Sequence, residues 1–105
     1  MIQPVDFRAA KQLLDETPDI LCLDVREEEE YISGHAMGAE LFPVGTISRS
    51  SAAERVPSYD TPILVYCRTG RRSRRAANTL EALGYQTIYD LGSLAGWPYG
   101  ITYGE

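Results

Sequence analysis

Residues 62–84 most constrain what this chain can fold into. A short apolar run, PILVY, meets Cys67 and then, across the loop RTG, a helical pattern with Ala76, Ala77, Leu80 and Leu83 on one face. So short a run, bounded by Pro62 and a glycine loop, reads as a strand covered on both faces. A strand leading straight into a helix belongs to a parallel crossover, and the rest of the chain repeats that alternation. Phe7, Ala10, Leu13 and Leu14 recur at helical spacing behind Asp6, a good N-cap, and Pro18 stops that helix. ILCLDV (20–25) reads as a buried strand and Arg26–Ile32 as a short helix ended by Gly34. GAELFPV (38–44) reads as a further strand and Ser48–Arg55 as a helix. The helix after the cysteine is expected from near Ser73 to Gly84, then a strand at YQTIYD (85–90) and a turn with a short helix at LGSLAGW (91–97). The expected architecture is α/β: one domain over residues 1–105, with a mostly parallel sheet of about five strands and helices on both faces. In such sheets ligands sit beyond the carboxyl ends of the strands, which is where Cys67 stands.

Charge sharpens that position. The chain carries a formal net charge of −5, yet five of its ten cationic residues fall in the eight positions 68–75. The acidic balance speaks against a nucleic-acid partner. No apolar run approaches the roughly 18–20 residues needed to span a bilayer, and the N-terminal MIQPVDFRAAKQLLDE lacks a signal-peptide core. No membrane partner is expected. Cys22 and Cys67, the two cysteines, each lie near the end of an apolar run. A reducing, cytoplasmic setting is therefore expected in place of a stapling disulfide.

A loop between a strand and a helix N-terminus can turn several backbone N–H groups inward, and the helix dipole adds partial positive charge. Gly70 lets the backbone bend where a side chain would clash. Such donors stabilise a thiolate over a thiol. Arginines add long-range potential and bidentate contacts to an oxyanion. The run Cys67, Arg68, Thr69, Gly70, Arg71, Arg72, Ser73 is thus expected to cradle an anionic group attached to, or attacked by, sulfur. The competing reading is a buried structural cysteine followed by solvated arginines.

Four motifs in order now give a resemblance. Cys67, Gly70, Arg72 and Ser73 fit C-x-x-G-x-R-S; Asp24, Val25, Arg26, Glu30 and Tyr31 fit a D-V-R strand end with a following acid and aromatic. GHAMGA (34–39) fits a G-H-I-P-G-A box, and Leu91, Gly92 and Trp97 fit L-x-G-G-x-x-x-W. Over nearly its whole length the sequence resembles a single-domain rhodanese, a thiosulfate-type sulfurtransferase. It departs at Met37, at Glu40 and at Ser93, where proline, asparagine and a second glycine are usual. These departures bear on the pocket rim.

The resemblance implies an enzyme without cofactor or metal. Cys67 would take a sulfane sulfur from a small anionic donor such as thiosulfate and pass it, as a persulfide, to cyanide, a thiol or a sulfur-carrier protein. The loop N–H groups would hold the persulfide, Arg72 would fix the loop or the donor's sulfonate, and Arg68 and Arg71 would stand at the entrance. Two other classes share the fold. Cysteine phosphatases and arsenate reductases place arginine at the sixth position after the cysteine, where this chain has Ser73; non-catalytic rhodanese-like binding modules typically lack the cysteine. Asp24 and Arg26 are expected to brace the loops, and His35 to make a structural hydrogen bond, with no second histidine to build a metal site. Cys22 is expected to be a small buried hydrophobe, EEEE (27–30) a solvated helix start, and Trp97 with Tyr85, Tyr89, Tyr99 and Tyr103 core and rim packing.

Overall fold

In the computed structural model, which describes residues 1–105, the apolar run at 62–66 lies in the middle of the main sheet. In chain order the elements are β1 (Ile2–Pro4), α1 (Phe7–Glu16), β2 (Leu21–Asp24), α2 (Glu28–Ile32), β3 (His35–Ala36) and β4 (Glu40–Leu41). A 3-10 turn (Val44–Thr46) follows, then α3 (Arg49–Arg55), β5 (Ile63–Cys67), α4 (Arg71–Leu83), β6 (Ile88–Ser93) and β7 (Ile101–Thr102). Five strands form a parallel sheet in the order β1-β6-β5-β2-β4, and β3 pairs antiparallel with β7 in a small second sheet.

All five residues of β5 are buried, as a central strand requires. Its period-two alternation divides the core. Ile63, Val65 and Cys67 join the cluster under α3 and α4, with Leu23, Val25, Phe42, Ala76, Ala77 and Leu80. Leu64 and Tyr66 face the other cluster, with Ala10 of α1, Cys22, Leu91, Leu94 and Trp97. Burying each large apolar side chain contributes about 1.5–3 kcal/mol, so the two layers hold β5 rigidly. The α/β architecture with helices on both faces is therefore the one expected. No helix is long and apolar enough to cross a membrane.

Several boundaries differ from the sequence expectations. β1 was not foreseen; it is an edge strand, where Pro4 costs no ladder bond. The strand expected over 38–44 shrinks to Glu40–Leu41, because the chain turns at Val44–Thr46. α4 begins at Arg71, two residues early, with Gly70 in the left-handed region (φ +98°) at its N-cap. The strand expected over 85–90 starts at Ile88 and runs on to Ser93, so the short helix expected within 91–97 does not form.

Candidate active site

The site is built on one strand end and three loops. Cys67 closes β5 and has no exposed surface. The Gly70 N–H donates to its Sγ at 3.0 Å, a contact made possible by the left-handed backbone at Gly70. A Cβ at position 70 would also meet the Gly92 Cα at 3.7 Å while holding an unfavourable φ. The Gly70 carbonyl accepts from Ser73 Oγ and from the Arg74 N–H, both at 3.1 Å, which locks the loop to the first turn of α4. The N–H groups of Arg68, Thr69, Arg71, Arg72 and Ser73 donate to no protein acceptor, as expected for a loop running into a helix start. A strand-to-helix loop with five free donors and one donor on sulfur is suited to hold negative charge at that sulfur.

Ser93 clamps the loop from β6. Its Oγ donates to the Arg68 carbonyl at 2.6 Å and accepts from the Ala95 N–H at 3.1 Å, while the Leu94 N–H donates to the Cys67 carbonyl at 3.0 Å. The serine expected to affect only the rim thus reaches the cysteine loop itself. Its removal is expected to free the loop. Ser93→Ala should raise the rate at which iodoacetamide alkylates Cys67 by roughly fivefold, the equivalent of one hydrogen bond. An unchanged rate in the folded variant would show that the loop is held elsewhere.

Arg72 does not stand free before a donor. Its Nη1 and Nη2 donate to Glu30 Oε1 and Oε2 at 2.6 and 2.9 Å, a bidentate pair joining α4 to α2. Glu30 also accepts from the Glu27 N–H at 2.9 Å. The EEEE run is therefore not simply a solvated face: its last member holds the cysteine loop's arginine. The Arg72 hydrogen bond holds the Glu30 carboxyl at about 2, below its ordinary 4.5. A depressed carboxyl stabilises the fold above its unfolded pKa, and that stability fades as pH falls from about 4.5 towards about 2. Glu30→Gln should accordingly lose about 1 kcal/mol at neutral pH, the partly solvated pair being screened. In urea titrations the difference from wild type should close near pH 2; a constant difference across that range would contradict the pairing.

Asp24, Arg26 and Tyr66 form a second brace. Asp24 and Tyr66 are register partners on β2 and β5, on the face away from α4. Asp24 is fully buried and accepts from Arg26 Nη2 and from the Tyr66 hydroxyl, each at 2.6 Å. Arg26 also donates to the Gly34 carbonyl at 2.7 Å, and the Ala36 N–H donates to the Tyr66 hydroxyl at 3.1 Å. Burial, and then the bond to Asp24, keep the Tyr66 phenol protonated well above its ordinary range. Tyr66 escaped the sequence reading because it sat inside an apolar run. Its alternation with Val65 was the signal that could have set it apart.

A cavity of about 260 Å³ opens beside the loop, lined by Arg26, Glu30, Ser33, Arg68, Leu94 and Ala95. Of the sequence candidates, Arg26 and Arg68 face this cavity. Cys67 is not among its lining residues; its chain neighbour Arg68 is, and Leu94 of the lining donates its N–H to the Cys67 carbonyl. Thr69 and Arg71 are exposed on the loop's outer side. His35 is buried in β3, stacked on Tyr31 with ring centroids 3.6 Å apart, and its Nδ1–H donates to the Tyr31 carbonyl at 2.7 Å. It takes no place in the cavity. Burial pushes the Cys22 thiol up to about 12, which leaves it a thiol at neutral pH.

A buried cysteine under an N–H-rich loop, between a central parallel strand and a helix, is the geometry that the comparisons with known proteins now meet. The family model described as "Rhodanese-like domain" matches residues 6–98, so the chain belongs to the rhodanese-like family. It is 30% identical to a sulfurtransferase of Allochromatium vinosum, over 92% of this chain and 89% of that protein. It is 27% identical to the thiosulfate sulfurtransferase GlpE of Tolumonas auensis, over 94% and 91%. The crystal structure of the Alr3790 protein from Anabaena superposes with a TM-score of 0.84 at 27% identity, covering 94% of this chain and 91% of that one. The chain spans only 47% and 58% of two further relatives from Bacillus subtilis, to which it is 32% and 37% identical.

Proposed function

We propose that residues 1–105 act as one sulfurtransferase domain that carries a sulfane sulfur on Cys67. The observation that carries this reading is the Gly70 N–H on Sγ at 3.0 Å, inside a loop with free donors on either side of it. The Cys67 thiolate attacks the outer sulfur of thiosulfate. A new S–S bond forms, the old one breaks, and its electron pair leaves with sulfite. An acceptor thiolate or cyanide then attacks the outer sulfur of the persulfide, and the pair returns to Cys67. No oxidant, metal or cofactor enters, and atoms and total charge are conserved at each step. The loop N–H groups stabilise the persulfide anion. Arg68 and Arg26 meet the donor in the cavity, while Arg72, occupied by Glu30, fixes the loop. Asp24 is the brace that aims Arg26. Because Cys67 has no exposed surface, loading requires the residues that cover it to move aside.

A phosphate-cleaving reading lacks support from this geometry. The sixth position after the cysteine is Ser73, whose Oγ is turned to the Gly70 carbonyl at 3.1 Å, and Arg72 is already paired. The acidic net charge of −5 and two unpaired cysteines support a reducing, cytoplasmic setting without nucleic-acid or membrane partners. The test is intact-mass measurement after thiosulfate treatment, with thiocyanate and phosphate release assayed in parallel. A gain of one sulfur atom, reversed by cyanide, is expected. Phosphate release without sulfur gain would replace this reading.

A further inference from the structure

The arginines after Cys67 do not all serve one pocket. Arg68 lines the cavity and Arg72 is bound to Glu30. Arg71, Arg74 and Arg75 do neither. They are exposed, line no cavity, and have no ion-pair or side-chain hydrogen-bond partner. With Asn78 they occupy positions i, i+3, i+4 and i+7, one outward face of α4. The only acid on that helix, Glu81, pairs with the N-terminal amine at 3.2 Å.

The fold is not served by this arrangement. Cations at a helix N-terminus oppose the macrodipole, and Arg71 and Arg75 repel each other at i,i+4 spacing. The rest of the molecule carries the opposite sign, summing to −5 with these arginines included. A positive stripe that weakens its own helix, on an acidic protein and beside the cysteine loop, is arranged for something outside the molecule. A small donor such as thiosulfate is met inside the cavity by Arg26 and Arg68 and does not reach the outer face of α4.

We propose that the outward face of α4, Arg71, Arg74 and Arg75, docks an acidic protein surface that presents the thiol receiving sulfur from Cys67. This rests on the sulfurtransferase reading and names the partner class for that same site. Complementary charge would orient the partner so that its thiolate attacks the outer persulfide sulfur, leaving as a persulfide while Cys67 regains its thiolate. An acidic protein is favoured over nucleic acid because the acidic remainder of the surface repels a long polyanion, while a partner with a local acidic patch meets only the stripe.

The test uses a short peptide with one cysteine flanked by glutamates, the same peptide with glutamines, and a single-stranded RNA oligomer. Binding is read by fluorescence anisotropy with serine versions of the peptides, and sulfur transfer from loaded Cys67 with the thiol versions. The variant is Arg74→Glu/Arg75→Glu, which spares the loop. Wild type should prefer the glutamate peptide by about tenfold at low salt, in both binding and transfer rate, and raised salt should erode this. The variant should lose the preference, load sulfur from thiosulfate at the wild-type rate once high salt screens the reversed charge, and melt at a higher temperature. Equal binding of the two peptides to wild type, or a preference that survives in the variant, would overturn the proposal. Tighter binding of RNA than of the glutamate peptide, abolished by the same variant, would overturn the partner class. A stripe-dependent preference without loading by thiosulfate would support the docking face and refute the sulfur chemistry.

Discussion

Cys67→Ser is expected to fold and to accept no sulfur. The side chain sits at the end of a central strand, packed with Ile63, Val65 and Ala76 in the core under α4, and serine nearly matches its volume. What is lost is the nucleophile. A hydroxyl attacks sulfur only when a base removes its proton, and the one group bonded to Sγ is a backbone donor, the Gly70 N–H. Turnover of thiosulfate with cyanide should fall by at least about a thousandfold, the scale on which removal of a nucleophile is felt. Cys22→Ser serves as the control. It lies on the opposite face of the sheet, with its thiol kept protonated by burial, and should retain turnover while losing some stability. Circular dichroism establishes folding and intact mass establishes loading. If folded Cys67→Ser still gained sulfur, or Cys22→Ser did not, the carrier residue would have been misassigned.

The largest effect on stability is expected at Asp24. Its carboxylate is fully buried and neutralises Arg26, whose side chain is only 10% exposed. Asp24→Ala leaves a guanidinium without its counter-charge and removes the acceptor of the Tyr66 hydroxyl. Breaking a buried pair from one side costs about 3–5 kcal/mol. For a domain of this size that lowers Tm by roughly 15–30 °C. Tyr66→Phe is the comparison. It removes one hydrogen bond to the Asp24 carboxylate and leaves the Ala36 N–H without its partner, at about 1–3 kcal/mol. Thermal melts of the two variants separate the charge from the hydrogen bond. A loss at Asp24→Ala no larger than at Tyr66→Phe would mean that Arg26 turns to solvent when released and that the pair contributes little.

Both predictions depend on contacts of different legibility. The strand ending in Cys67, the glycine in its loop and the helix behind it are neighbours in sequence. Their conformations follow from local rules: an apolar run between breakers, a residue without Cβ where φ must be positive, a periodic apolar face. The sequence by itself therefore determined the parallel α/β plan, the place of the cysteine at a strand's carboxyl end and the loop that bears the N–H donors. Where local rules carried little signal, boundaries drifted. β3 and β7 are two residues each and show no period, and β1 is three residues with a proline.

The partners of the polar groups were decided only by the tertiary structure. Glu30 and Arg72 are 42 positions apart, as are Asp24 and Tyr66, and Ser93 reaches back 25 positions to Arg68. No local propensity encodes such distances. Sheet register sets them: β2 beside β5 brings Asp24 level with Tyr66, and β6 on β5's other edge brings Ser93 level with Cys67. From composition the five arginines after the cysteine formed one group, because they share a sign and a segment. The fold divided them by loop and by helical phase. Arg68 stands in the loop and faces the cavity; of the four on α4, one is bound to Glu30 and three are exposed, because side chains about 100° apart around a helix cannot all face the same site.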